Sequence, residues 1–335
     1  LIGRAKIKAA EPVREWLQLV GTHLEEIVMM SSDTKDKDTA EFRSDHGFAS
    51  EFFVAPSPPM QVEFGAASHV GLVRESNEDH FAVLRRTRTQ ELLLANLGED
   101  CACRSADEAW CLVVADGIGG ASAGETASRV AIQKACELTD QASSWVMRLR
   151  SLAAQQVQDR LDAFVTEIHR TLRTMGEADP DLAGMGTTWT SVYVVGWNAV
   201  VTQIGDSRGY LWRKDALKQF TRDQTLAQVL IDTGVPPEQT DSVRHILTNS
   251  LGGKSELTVP DVGHVHLQDG DRLLLCTDGL SDQISDDQIA DALRSPAAPQ
   301  AVCDALIQLA LDNGGTDNIT VVLAEFHERP DSGRT

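Results

Sequence analysis

Four aspartates stand where an apolar run gives way to glycine or a polar turn. They are Asp116 in Val113-Val114-Ala115-Asp116-Gly117-Ile118-Gly119-Gly120, Asp206 in Val201-Thr202-Gln203-Ile204-Gly205-Asp206-Ser207-Arg208, Asp278 in Leu274-Leu275-Cys276-Thr277-Asp278-Gly279, and Asp317 in Gly314-Gly315-Thr316-Asp317-Asn318-Ile319. A single Asp-Gly after a strand is an ordinary turn. Four in one chain carry more, because strand ends converge in space and carboxylates gathered there repel one another unless a cation neutralises them. The donors are oxygens, with no matching His or Cys cluster, so the pattern favours a polynuclear Mg2+ or Mn2+ site over zinc. A fifth cluster, Gly71-Leu72-Val73-Arg74-Glu75-Ser76-Asn77-Glu78-Asp79-His80, adds two adjacent acids and an arginine.

Such a site needs strands to present it. Short β-like runs cover 61–67, 81–84, 110–115, 187–195, 199–204, 209–213, 257–267, 272–276 and 319–326. Helical spacing marks 124–138, 143–175, 225–233, 286–293 and 299–311. Tight turns at Gly196-Trp197-Asn198 and Gln268-Asp269-Gly270 join consecutive strands, which argues for antiparallel sheet covered by helices. Before this region, 11–30 places Val13, Trp16, Leu17, Val20, Leu24 and Ile27 on one helical face, and 31–59 is a polar linker ending in prolines. The expected organisation is therefore 1–60 as helix and linker, 61–328 as the catalytic domain and 329–335 as a tail. Within the domain, 87–109 reads as an inserted loop with a Leu-rich turn.

Composition narrows the function classes. The 335 residues hold 30 Lys plus Arg against 50 Asp plus Glu, a net charge of −20 that disfavours sequence-independent nucleic-acid binding and polybasic membrane attachment. No apolar window reaches the roughly 18 to 20 residues of a spanning helix, and the N-terminus lacks the apolar core of a secretion signal, so a cytoplasmic protein is expected. The six cysteines read as reduced thiols. Cys101-x-Cys103 with Cys111 lacks the fourth ligand of a zinc hook.

Taken in order, several motifs resemble those of the metal-dependent protein phosphatase (PPM, protein phosphatase 2C) family, particularly its bacterial Ser/Thr phosphatases. They are Gly71-Leu72-Val73-Arg74 with Asn77-Glu78-Asp79, Asp116-Gly117-Ile118-Gly119-Gly120, Gly186-Thr187-Thr188, Gly205-Asp206-Ser207-Arg208, Asp278-Gly279-Leu280 and Asp317-Asn318-Ile319-Thr320. Each is weak alone, but six in one order across about residues 61 to 326 are specific.

The resemblance implies an α+β fold, a four-layer α-β-β-α sandwich of two antiparallel sheets flanked by helices. It implies two Mn2+ or Mg2+ ions per site, with a possible third, weaker one. Asp116 would bridge the pair, Asp278 and Asp317 would complete the first ion, Glu78 and the Gly117 carbonyl would hold the second, and Asp206 with Asp278 would support the third. Asp79 would hydrogen-bond a metal-bound water, and Arg74 would bind the substrate phosphate. The implied activity is hydrolysis of phosphoserine and phosphothreonine proteins by in-line attack of a metal-bridging hydroxide, in opposition to a cognate Ser/Thr kinase and by a monomer. The alternative is a catalytically weak pseudophosphatase that binds phosphoproteins. One departure stands out: the family's histidine after the bridging Asp-Gly, or after the next Gly-Gly, is replaced by Ile118 and Ala121. The expected acid for the leaving oxygen is therefore solvent or a metal-bound water. Residues 222–251 resemble the family's flap beside the active site.

Overall fold

The computed structural model describes residues 60–90, 105–141 and 154–329. In chain order it contains β1 (Met60–His69), β2 (His80–Gln90), β3 (Ser105–Ala115), β4 (Gly117–Ile118), α1 (Ala121–Gln141) and α2 (Ala154–Ala178). After a 3-10 turn at Pro180–Leu182 come β5 (Gly186–Thr187), β6 (Trp189–Val195), β7 (Asn198–Ile204), β8 (Arg208–Arg213), β9 (Ala216–Gln219) and α3 (Leu226–Asp232). Two further 3-10 turns, Pro237–Gln239 and Asp241–Val243, lead to β10 (Leu251–Gly252), β11 (Asp261–His266), β12 (Arg272–Cys276) and α4 (Asp278–Ser281). The chain closes with α5 (Asp286–Arg294), α6 (Pro299–Asp312) and β13 (Ile319–Glu328).

Two five-stranded antiparallel sheets form, ordered β1-β13-β12-β8-β9 and β11-β7-β6-β3-β2. Alternation of side chains along each strand gives each sheet two faces to cover. Their inner faces meet in one core, where Trp110, Leu112, Val192 and Val201 of one sheet pack with Leu273, Leu275, Val322 and Phe326 of the other. The outer face of the first sheet, with Leu274, Cys276, Val321 and Leu323, is covered by Ile289, Leu293, Val302 and Leu306 of α5 and α6. The outer face of the second is covered by α1 and α2. Layers run helix, sheet, sheet, helix, and each fully buried Val, Leu or Ile contributes about 1.5–3 kcal/mol.

Local sequence explains the helices. Ser285 and Gln288 form a reciprocal capping box at the start of α5, and Pro299 opens α6, where a missing N–H costs nothing. Along α1 the buried Ala123, Ala127, Ala131 and Ala135 recur every four residues, a small-residue stripe that lets the helix lie close to the sheet.

Register places the functional loops at one end. His69 lies opposite Ile319, Cys276 opposite both Val321 and Arg208, His80 opposite Ala115, and Ile204 opposite Trp189. The loops bearing all five sequence clusters leave the sandwich there. A three-stranded patch, β10-β5-β4, stitches Leu251–Gly252 through Gly186–Thr187 to Gly117–Ile118, next to Asp116.

The structure corrects several expectations. Residues 87–90 and 105–109 are strand, not inserted loop: the β2–β3 ladder runs on from His80↔Ala115 to Gln90↔Ser105. The run 187–195 is two strands, because Thr188 turns to bond the Asp116 backbone. The strand expected over 257–267 begins at Asp261, leaving Leu257 and Val259 exposed. Strand β9 and the short α4 carry no periodic signal in so few residues. The expected N-terminal helix and linker, the C-terminal tail, Cys101 and Cys103 lie outside the described residues, as does the first part of the 143–175 helix. Cys111, Cys136, Cys276 and Cys303 are free thiols. No helix among the described residues is long and apolar enough to cross a membrane.

Candidate active site

Asp116 sits between β3 and β4, held by backbone bonds on both sides. Its N–H donates to Thr188 Oγ1 at 2.9 Å, and its carbonyl accepts from the Thr188 N–H at 2.9 Å and from Thr187 Oγ1 at 2.8 Å. Thr188 is braced in turn by Ser207 Oγ at 2.8 Å, which ties the Asp116 turn to the Asp206 loop. Asp278 is the first residue of α4, two residues past the end of β12. Thr277, just before it, donates Oγ1–H to Asp79 Oδ2 at 2.8 Å and accepts from the Thr320 N–H at 3.0 Å.

Asn318 clamps the first loop. Its Oδ1 accepts from the Glu78 N–H at 2.8 Å, while its Nδ2 donates to the carbonyls of Val70 and Ser76, both at 2.9 Å. Glu78 thereby lies against the first turn of α1. A Cβ on Gly124 would stand 1.8 Å from Glu78 Oε2, and one on Gly117 would stand 2.2 Å from the Gly124 carbonyl oxygen, so both positions demand glycine for the close approach. Ser128 Oγ, which caps the Glu78 carbonyl at 2.5 Å, completes the contact.

The electrostatics are those of like charges collected out of water. Burial pushes Asp79 up to about 7, against the hydrogen bonds from Thr277 and Thr320, with the charges of Asp278 and Asp317 adding to the rise. Asp278 rises to about 6, chiefly by burial, with Asp317 and Asp282 adding. Asp116 and Asp206 are raised well above the ordinary carboxylate range, again first by burial, then by neighbouring aspartates. Glu78 rises through burial despite Arg74. Asp116 and Asp278 are close enough that each acts on the other's titration. Asp79 Oδ1 and Asp278 Oδ1 are buried and have no hydrogen-bond partner among the described residues.

Every residue singled out in sequence is thus brought to one rim. Arg74 lies there too, its Nη2 2.7 Å from Asp317 Oδ2 with both side chains partly exposed. Among the described residues, no three His, Cys, Asp or Glu side chains converge as a ready-made cage. Arg74 holds Asp317. The donor set nevertheless fits divalent cations: hard oxygens only, two of them buried without a partner, and mutual repulsion that a cation would relieve. Gly124 and Ser128 escaped the sequence reading, since a glycine and a serine inside a helical pattern give no local sign of what leans on them.

His69 and His80, which flank the first motif, have structural roles. His69 Nδ1 accepts from the Gly71 N–H at 2.9 Å, and His80 Nδ1 lies 2.9 Å from Ser128 Oγ. Beside the carboxylates, a solvent-open cleft is lined by Asp206, Asp278 and Asp282 together with Thr225, Thr240 and His245 of the 225–245 segment.

Comparison with known proteins identifies the family to which this fold belongs. The family model described as protein phosphatase 2C matches residues 99–307. The serine/threonine protein phosphatase PstP of Mycobacterium tuberculosis is 35% identical over 269 residues, covering 79% of this chain and 45% of that protein. The serine/threonine phosphatase stp of Listeria monocytogenes serovar 1/2a is 31% identical over 270 residues, covering 79% of this chain and 96% of that one. The chain thus spans under half the length of the mycobacterial relative. Among solved structures, the PstP catalytic domain in complex with two manganese ions superposes with a TM-score of 0.61 at 34% identity, over 80% of this chain and all of that one. Sandwich, ordered motifs and relatives agree, and the chain belongs to the protein phosphatase 2C family.

Proposed function

We propose that residues 61–328 form a metal-dependent Ser/Thr phosphoprotein phosphatase domain, hydrolysing phosphoserine and phosphothreonine esters with two Mn2+ or Mg2+ ions. The observation that carries this is the set of buried, mutually repelling carboxylates at one sandwich end, two of whose oxygens have no partner. In this reading Asp116, Asp278 and Asp317 hold one ion, Asp116, Glu78 and the Gly117 carbonyl hold the other, and Asp206 with Asp278 supports a third, weaker one. Such ions lower the pKa of bound water and neutralise charge developing on the phosphoryl oxygens.

The chain's own residues do the positioning. Arg74, exposed at the rim, exchanges its Asp317 partner for two phosphate oxygens, a fork that lysine cannot reproduce. Asp79, fixed by Thr277 and with a buried Oδ1 left without a partner, would hydrogen-bond a metal-bound water and orient it. The Thr188–Ser207 pair holds the Asp116 and Asp206 loops at a fixed separation. The substrate is a phosphoprotein of the cytoplasm, modified by a cognate Ser/Thr kinase, and the enzyme acts as a monomer.

The test is phosphate release from a phosphothreonine peptide with Mn2+, Mg2+ or EDTA, beside an Asp116→Asn variant shown to be folded. Release that needs the metal and is abolished in the variant is expected. Phosphopeptide binding without release overturns the reading in favour of a pseudophosphatase.

A further inference from the structure

The oxygen that leaves phosphoserine or phosphothreonine is an alkoxide, and a positioned acid that protonates it accelerates departure by roughly 10²- to 10⁴-fold. Imidazole is the ordinary side chain for this task near neutral pH. Ile118 and Ala121 cannot serve, and Asp79 lies buried behind Thr277. His69 and His80 are engaged through Nδ1, and His169 Nδ1 accepts from the Gly252 N–H at 3.1 Å. His264, His266 and His327 lie on β11 and β13 toward the opposite end of the sandwich, paired with Val200, Asn198 and Gln61.

His245 is different. It is the one described histidine that lines the cleft shared with Asp206 and Asp278. Its ring is exposed and makes no hydrogen bond or ion pair with a described residue. Its backbone is nonetheless pinned on both sides: Leu226 N–H donates to the Ile246 carbonyl at 2.8 Å, Thr248 N–H to the Gln224 carbonyl at 2.8 Å, and Ile246 N–H to the Val243 carbonyl at 3.1 Å. Next to it, Arg244 Nη2 reaches Asp282 Oδ2 at 2.9 Å, tying this segment to the end of α4. An imidazole without a side-chain partner, on a pinned backbone, thus lines the same cleft as Asp206 and Asp278. The charged groups around that cleft are Asp206, Asp278 and Asp282, the Arg208–Asp223 pair, and Asp241 and Arg244 on the imidazole's own segment. Both guanidiniums are already paired, Arg208 with Asp223 and Arg244 with Asp282.

We propose that His245 is the acid that protonates the leaving serine or threonine oxygen, in place of the solvent acid expected from sequence. The proposal rests on the phosphatase reading above. The attacking water gives its oxygen and one hydrogen to phosphorus and loses its other proton to a base. The phosphorus–ester oxygen bond breaks with its electron pair on that oxygen, which takes a proton from the His245 imidazolium. Neutral imidazole then regains a proton from solvent.

The experiment compares wild type with His245→Gln and His245→Ala, all Mn2+-loaded, on a phosphothreonine peptide and on 4-nitrophenyl phosphate. Nitrophenolate leaves as a stable anion and needs no proton. The expected result is a fall of about 100-fold or more in kcat on the peptide, with a loss of at most about threefold on the nitrophenyl ester. The alkaline limb of the wild-type peptide kcat–pH profile should flatten in both variants. Independently of turnover, the His245 ring resonance should shift when inorganic phosphate is titrated into the wild-type protein, and the variants should melt at the wild-type temperature. Equal losses on both esters would assign His245 a flap-positioning role, and unchanged peptide kcat or a resonance indifferent to phosphate would also overturn the proposal. Wild type inactive on both esters would instead overturn the phosphatase reading itself.

Discussion

At the residue scale, what separates a site position from an ordinary turn is what presses on it. Gly124 and Gly117 look alike in sequence, yet a methyl group meets different things at each. At Gly124 it meets chiefly the far end of the Glu78 side chain, with the Gly117 backbone at 2.9 Å; at Gly117 it meets backbone alone, as close as 2.2 Å. Gly124→Ala should therefore lose less stability than Gly117→Ala while weakening Mn2+ binding about 10- to 100-fold, as displaced ligand supports do, measured by isothermal titration. Gly117→Ala should lower stability by more than about 2 kcal/mol in urea unfolding, since the Asp116 turn must shift. Equal effects of the two substitutions would contradict this packing account.

At the element scale, the helices over the first sheet are held by more than their apolar faces. Arg272, at the start of β12 and largely buried, donates Nη1 to the carbonyls of Leu293 and Ser295 at 2.9 and 2.6 Å and Nη2 to that of Ala297 at 3.2 Å. It also pairs with Glu325 at 2.8 Å. One guanidinium thus caps the C-terminal end of α5 and joins it to β12 and β13. Arg272→Ala leaves those carbonyls and Glu325 without that donor, and should cost about 3–5 kcal/mol in chemical unfolding. Because β12 leads directly into Asp278, the loss should be accompanied by weaker Mn2+ binding. A variant as stable as wild type would show that solvent replaces the cap without cost. In sequence Arg272 was merely the first residue of an apolar strand. Its partners lie more than twenty positions away, and no local spacing reveals them.

For the whole molecule, the collected carboxylates link stability, pH and metal. An acid whose pKa is raised by folding binds its proton more tightly in the folded state, so its contribution favours folding at low pH and is lost as pH rises through the raised value. With Asp278 raised from 3.8 to about 6 and Asp79 from 3.8 to about 7, the metal-free protein should lose stability between about pH 4 and pH 7, while bound Mn2+ offsets the exposed repulsion. The gap in melting temperature between Mn2+-loaded and EDTA-treated protein should widen over that range, and a gap independent of pH would count against a carboxylate metal site. Much of this was already present in the sequence. Motifs keep their chemistry next to their own strand ends, so Asp116, Asp206, Asp278 and Asp317 could be named from short windows, and alternation with tight turns marked the antiparallel sheets. Tertiary structure alone decided what depends on contacts between distant segments. It extended β2 and β3 into both ends of the supposed insertion, made Asn318 the clamp of the Glu78 loop, left Asp79 Oδ1 and Asp278 Oδ1 without partners, and set His245 in one cleft with Asp206 and Asp278. Side-chain type and spacing are local properties of a chain, whereas burial, pairing and pKa arise only when separate elements pack together.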